Sequence, residues 1–204
     1  MNKKISVINC FYNNPEDVSK NYNLIKKFFE NKKINFEIIF INDNSPDETW
    51  SEIKDISSKD KKVKAICFKS NQGQQIAIRE AINKSSGDYV HYYDSDLKFN
   101  EEFFDNFLKT HNKNYEVFWG IPSVSSTFLR NIFIFFYKFI FSKNYHYRSL
   151  FIFDSKIKKQ ILDQYNEGKK FIGEILSLKN FINIKFNLSE NINFKKTSYT
   201  FFKR

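Results

Sequence analysis

An α/β fold with a mainly parallel sheet is the class this sequence predicts, and three observations predict it. Short apolar runs alternate with segments of helical period through about the first hundred residues. The connections between them are short, as in sheets built from strand–helix–strand units. Asp, Asn, Gln and Ser gather where the apolar runs end, the edge at which such sheets bind ligands.

The elements follow in order. "ISVINCFY" (5–12) reads as the first strand. "PEDVSKNYNLIKKFFENKK" (15–33) places Val18, Tyr22, Leu24, Ile25, Phe28 and Phe29 at helical spacing. "NFEIIFIND" (35–43) is a buried strand, and "DETWSEIKDISSK" (47–59) a helix with Asp47 as N-cap. "KVKAICF" (62–68) is a third strand, "QQIAIREAINKS" (74–85) a third helix and "DYVHYYD" (88–94) a fourth strand. The second half is less regular: a helix at 99–110, strands at 115–120 and 148–154, helices at 155–166 and 170–180, and a strand at 182–187. With no repeat, low-complexity linker or boundary, residues 1–204 read as one domain.

Composition narrows the class. A chain of 204 residues that is 41% hydrophobic and 27% charged is too apolar for disorder. A net charge of +10 suits an anionic partner. Nucleic acid is not that partner on this reading, because no recognised motif appears and the polar rim is acidic at its centre. Cys10 and Cys67 lie in apolar runs without metal-ligand spacing and read as buried, reduced thiols of a cytoplasmic protein. "MNKKISVINCFY" is interrupted by Asn9 and lacks a small-residue cleavage site, so it reads as a strand, not a signal peptide. The most apolar stretch, 128–141, is shorter than the roughly 20 residues a bilayer span needs. A helix apolar all round is buried or lies in a membrane surface, so this segment is expected to be partly buried and to make a peripheral membrane contact.

The strand ends supply the candidate chemistry. Along an extended strand, residues i and i+2 share a face, so Asp94 and Asp96 of "DSD" are expected to point into one site. Paired hard oxygens suit Mg²⁺ or Mn²⁺; the plainer alternative is that Asp96 caps a following turn while Asp94 is a solvated strand end. Asp43 ends a buried strand, where its carboxylate needs donors, from a base or ribose or from loop amides. Gly73 permits close backbone approach, and the helix opened by Gln74 and Gln75 offers an N-terminus that favours anions.

Taken together, these stretches resemble the family 2 glycosyltransferases of GT-A fold. "SVINCFYNNPE" is similar to that family's "SVVIPVYNE", with Cys10 where proline is usual, and "INDNSPDET" to its "VDDGSTDGT". "KSNQGQQIAIREAINKSSGDYVHYYDSDLKFNEE" follows its pattern from R-N-x-G to D-x-D-L-x-x-x-P-E. The wording "GQQ" and the tail "TSYTFFKR" look most like the polyprenyl-phosphate sugar transferases related to dolichol-phosphate mannose synthase. In those relatives such a tail often leads into transmembrane helices, whereas this sequence stops at Arg204. It is expected to be either a whole enzyme or a shortened one. The resemblance implies a donor half over about 1–98 and an acceptor half over about 99–204.

What the resemblance implies is transfer of a sugar, with inversion, from a nucleoside-diphosphate sugar to a polyprenyl phosphate or a glycan acceptor in cell-envelope polysaccharide synthesis. The enzyme would work at the inner face of the cytoplasmic membrane. Asp96 and Asp94 would hold Mg²⁺ or Mn²⁺. Phe11, Tyr12, Asn13, Asp43, Asn71, Gly73, Gln74, Gln75, Asp94 and Ser95 would bind the donor. Glu174 in "KFIGEIL" is the candidate base for a hydroxyl acceptor; a lipid phosphate needs none. The family's arginines after the "D-V-V-x-G" strand and before the tail are missing, leaving Arg130, Arg148, Lys196 and Ser198 as candidate acceptor contacts. Their absence keeps a catalytically silent nucleotide-sugar-binding module as the alternative.

Overall fold

The computed structural model describes residues 2–123, 150–167 and 171–187. Arg130, Arg148, Lys196, Ser198, the segment 128–141 and the tail lie outside the described residues.

Strands β1 (Ile5–Phe11) and β2 (Phe36–Asn42) are buried at every position. That is why they read as unbroken apolar runs: both sheet faces are covered by helices. β1 lies between β2 and β4 (Tyr89–Tyr93), parallel to both, with Ile5 opposite Phe36 and Tyr89. β3 (Val63–Cys67) pairs parallel with β2. With β5 (Val117–Pro122), β6 (Leu150–Asp154) and β7 (Phe181–Phe186), the sheet has seven strands in the order β3-β2-β1-β4-β6-β5-β7. β6 runs antiparallel to β4 and β5, while β5 and β7 pair parallel. The carboxyl ends of every strand but β6 therefore share one rim.

The helices are α1 (Pro15–Asn31), α2 (Thr49–Lys59), α3 (Gln74–Lys84), α4 (Glu101–Thr110), α5 (Lys158–Asn166) and α6 (Ile172–Leu176). β1 divides its side chains between two cores by simple alternation. Ile5, Val7 and Phe11 join Phe28, Phe29, Phe104 and Phe107 of α1 and α4. Ile8 and Cys10 join Ala77, Ile78 and Ile82 of α3 together with Ile161 and Ile175. The first core is built of rings meeting edge to face, as Phe28 and Phe104 do at 5.4 Å. Burying each such ring contributes roughly 1.5–3 kcal/mol. His91 is completely buried beside Phe99, Phe103 and Phe104. Burial holds its imidazole down at about 4, against a weaker upward pull from its bond to the Phe151 carbonyl.

Several local expectations change. Cys67 is exposed and not buried, because β3 is an edge strand; both cysteines are free. The helix expected over 170–180 is only Ile172–Leu176. Turn bonds from Ser177 N to Gly173 O and from Leu178 N to Ile175 O bring the chain round into β7. The helix expected from 155 opens as a 3-10 turn, Ser155–Ile157, started by Asp154, whose carboxylate accepts from Lys156 N. Asp47 accepts from Thr49 N at 3.0 Å, a turn two residues ahead of the helix, and α2 begins at Thr49.

Candidate functional site

The polar loops after β1, β2, β3 and β4 meet along the shared rim, and hydrogen bonds tie them into one surface. Asn13 N donates to Ser45 Oγ at 3.0 Å and Asn14 N to Thr49 Oγ1 at 3.2 Å, joining the first loop to the second. Asn13 and Asn44 both adopt φ of 58°, which suits asparagine in a tight turn. Ser45 is drawn back by Asn42 Oδ1, which accepts from its N–H and its hydroxyl.

Asp43 is wholly buried. Its Oδ1 accepts from Gln72 N at 2.7 Å and its Oδ2 from Gly73 N at 2.9 Å. Loop amides, one of the two kinds of donor expected for this carboxylate, meet both of its oxygens. Gly73 sits at φ 88° and ψ 155°, a backbone region open essentially to glycine, and a Cβ there would meet nothing within 4 Å. The next residue, Gln74, opens α3. Its Nε2 donates to Asp94 Oδ1 at 2.7 Å and lies 2.8 Å from Tyr92 Oη. Tyr92 Oη donates to the same Asp94 oxygen.

"DSD" itself is a turn. β4 ends at Tyr93, and Leu97 N donates to Asp94 O at 2.9 Å. Asp94 and Asp96 therefore do not share a strand face as expected, because the chain leaves the sheet here to reach α4. The turn is held from α1 and the loop before it, with Asn14 Nδ2 donating to Ser95 Oγ at 2.9 Å and Asn21 Nδ2 to Ser95 O at 3.0 Å. Asp96 is half-buried. Burial pushes its carboxyl up, and the negative charge of Asp17 adds to that, against backbone N–H groups of the turn that pull it down. Cys10 lies between the two acidic loops: burial raises its thiol, and the charges of Asp94 and Asp43 raise it further.

The donor set fits a hard divalent cation. Asp96 is a carboxylate whose charge is disfavoured by its surroundings and would be stabilised by a cation, with Asp94 two residues away. Among the described residues no group of three or more His, Cys, Asp or Glu is poised to hold a metal. Mg²⁺ or Mn²⁺ takes one or two protein carboxylates and completes its shell with water and substrate phosphates.

The remaining predicted residues divide. Phe11 puts its ring in the core, 5.1 Å from Phe40, and only its carbonyl reaches the rim, accepting from Asp43 N. Tyr12 is half-buried and Asn71 is exposed. Gln75 turns away from Asp94, its Oε1 accepting from Ile172 N at 3.1 Å. That bond anchors α6, which carries half-buried Glu174, to the start of α3. Residues missed from sequence are Tyr92, Asn14 and Asn21. Tyr92 was findable because it stands two residues before Asp94. Asn21 was findable because it interrupts the buried stripe of Val18 and Ile25.

A cleft of about 340 Å³ opens beside the "DSD" turn, walled by Leu24, Tyr93, Leu97, Phe99, Leu150 and Phe186. A larger one of about 650 Å³, at Lys3, Lys32 and His111, contains none of the predicted site residues.

Sheet order, helix placement and a ligand rim at the strand ends define a nucleotide-sugar transferase fold of GT-A type. The mannosyltransferase PcManGT from Pyrobaculum calidifontis, solved with GDP-Man and Mn²⁺, superposes with a TM-score of 0.64 at 13% identity, over 92% of this chain and 55% of its own. The profile of glycosyl transferase family 2 matches residues 6–158, and the chain belongs to that family. It is 35% identical over 95 residues to the bactoprenol glucosyl transferase of Shigella phage SfV, 47% of this chain and 31% of that one. It is 33% identical over 95 residues to the dolichol-phosphate mannosyltransferase of Pyrococcus furiosus, 47% of this chain and 26% of that one. The chain spans about a third of the length of the curated relatives it matches.

Proposed function

We propose that this protein is an inverting, metal-dependent glycosyltransferase that moves a hexose from a nucleoside-diphosphate sugar to a polyprenyl phosphate or a glycan or lipid-linked acceptor. The observation that carries the reading is the hydrogen-bonded run Asp43–Gly73–Gln74–Asp94 along the carboxyl-end rim of a family 2 chain. It is also supported by relatives named for bactoprenol and dolichol phosphate.

In this reading Asp43 and the loop it holds receive the nucleoside, and Gly73 leaves open space for the donor to approach the backbone. Asp94 and Asp96 face the diphosphate, with Ser95, Asn13 and Tyr12 beside it. When bound by Asp96 and Asp94, Mg²⁺ or Mn²⁺ supplies neutralisation of the charge that develops on the leaving diphosphate. Glu174 serves as the proton acceptor where the acceptor is a sugar hydroxyl; a lipid phosphate attacks as an anion without it. Arg130, Arg148, Lys196 and Ser198 are assigned to the acceptor. The chain acts as a single domain lying peripherally at the inner face of the cytoplasmic membrane through 128–141. Among the described residues no helix is long and apolar enough to cross a membrane.

The test is thermal stability against a panel of nucleotide sugars with Mn²⁺, followed by turnover with polyprenyl phosphate. A true donor raises the melting temperature by mass action. A panel without any shift, together with background turnover, would sink the proposal. A shift without turnover would point to the silent binding module.

A further inference from the structure

Asp43 and Asp94 stand at the ends of β2 and β4, on opposite sides of β1, yet three consecutive residues connect them. The amides of Gln72 and Gly73 are taken by Asp43, and the side chain of Gln74 is given to Asp94. We propose that residues 72–74 form a strap that sets one acidic group from the other, and that Gln74 and Tyr92 are positioning residues for Asp94. The proposal rests on the donor-site reading above.

The geometry supports it in three ways. Gln74 and Tyr92 both donate to one oxygen, Asp94 Oδ1, which fixes the rotation of the carboxylate about its last bond and so aims Oδ2. Both donors are themselves held in place by contacts. Tyr92 is 1% exposed, with its ring 5.1 Å from that of Phe151, and Gln74 follows a glycine whose N–H is anchored on buried Asp43. Both are also neutral. A lysine or arginine in place of Gln74 would orient the carboxylate equally well but would cancel the charge that a divalent cation needs. Glutamine and tyrosine orient it without adding a positive charge of their own.

The experiment uses the full chain and its Gln74→Ala, Tyr92→Phe, Gln74→Lys and Gln74→Ala/Tyr92→Phe variants. Each is titrated calorimetrically with UDP, GDP, CDP and ADP, once with Mn²⁺ and once with EDTA, and melted without ligand as a control of folding. The proposal expects roughly a tenfold loss of Mn²⁺-dependent nucleotide affinity in Gln74→Ala and in Tyr92→Phe, with affinity in EDTA unchanged. The double variant is expected to lose less than the product of the two single losses, because both donors serve one oxygen. Gln74→Lys is expected to bind nucleotide equally well with Mn²⁺ and with EDTA. Losses of equal size with and without Mn²⁺, or no loss, would overturn the positioning role alone. A wild-type chain with no Mn²⁺-dependent affinity for any of the four nucleotides would overturn the donor-site reading and the strap with it.

Discussion

The carboxylates at the two rims of the sheet are described with different partners. At the amino-end rim, Glu37 is 4% exposed. It accepts from Ser6 Oγ and Ser86 N, each at 2.6 Å, from Lys64 Nζ at 2.9 Å and from Lys4 Nζ at 3.0 Å. Burial alone would raise its carboxyl, but those bonds outweigh burial and hold it down at about 2. At the carboxyl-end rim, the bonds described for Asp43 and Asp94 come from amides, a side-chain amide and a phenol, and Asp96 is pushed up instead of down. A chain of net charge +10 has no shortage of lysine. The contrast is that two lysines meet Glu37 at the amino-end rim, whereas burial and Asp17 disfavour the charge of Asp96 at the other, where the proposed donor site would place a divalent cation.

The largest expected effects would break this contrast if they came out exchanged. Asp96→Asn is expected to lower donor turnover by about 10²–10³-fold. It should leave the melting temperature unchanged or slightly higher, because it removes a charge that burial and Asp17 disfavour. Glu37→Gln is expected to do the reverse. Breaking a buried ion pair costs about 3–5 kcal/mol. Lys4 and Lys64 are 31% and 45% exposed, which places the expected loss near the low end, about 3 kcal/mol. Urea unfolding reads that loss, and donor affinity measured on the folded fraction should not change.

Acid titration sharpens the comparison, because two groups act in separate windows. In the unfolded chain a histidine takes up its proton near pH 6.5, whereas folded His91 does so only at about 4. Stability is therefore expected to fall, by about 3 kcal/mol in all, as pH drops through that interval, and to stop falling on this account below it. Glu37 acts lower. Its folded value of about 2 lies below its ordinary 4.5, so its contribution is fully present above 4.5 and is lost as pH falls through 2. His91→Phe, measured by urea unfolding at successive pH values, should flatten the upper window and leave the lower one intact. An unchanged upper slope would mean that His91 is not the group responsible.

How much of this was legible in the sequence follows from which interactions are local. β1 and β2 declared themselves because both faces are buried, and α1 and α4 because their apolar residues recur every three or four positions. The reversed direction of β6 was not legible, since "LFIFD" has the same alternation whichever way it runs between β4 and β5. At the site, residue types and order pointed to the carboxyl-end rim, where hydrogen bonds link Asp43, Gly73, Gln74 and Asp94. The connections did not follow from them: Gln74 to Asp94 spans 20 residues and Gln75 to Ile172 spans 97. The local error over "DSD" came from extending a strand two residues past the point where the Asp94 carbonyl closes a turn.

Two glycines carry the comparison to its smaller effects. Gly87 stands at the amino-end rim, where a Cβ would lie 2.6 Å from Ser6 N and 2.8 Å from Lys4 O. Both are backbone atoms of a buried strand and its lead-in, and they cannot swing aside. Gly87→Ala is expected to cost about 2–3 kcal/mol and to disturb the Ser6–Ser86–Glu37 cluster. Gly73 presents the opposite requirement: a Cβ has open space, but φ of 88° is unfavourable for any side chain. Gly73→Ala is therefore expected to cost only about 1 kcal/mol of stability. Relaxing that φ turns the Gly73 N–H off Asp43 and carries Gln74 away from Asp94, so donor affinity should drop severalfold while urea unfolding shows only that loss of about 1 kcal/mol. Donor affinity unchanged in Gly73→Ala, with stability lost, would show that the carboxyl-end rim uses its glycine as the amino-end rim does, for packing alone.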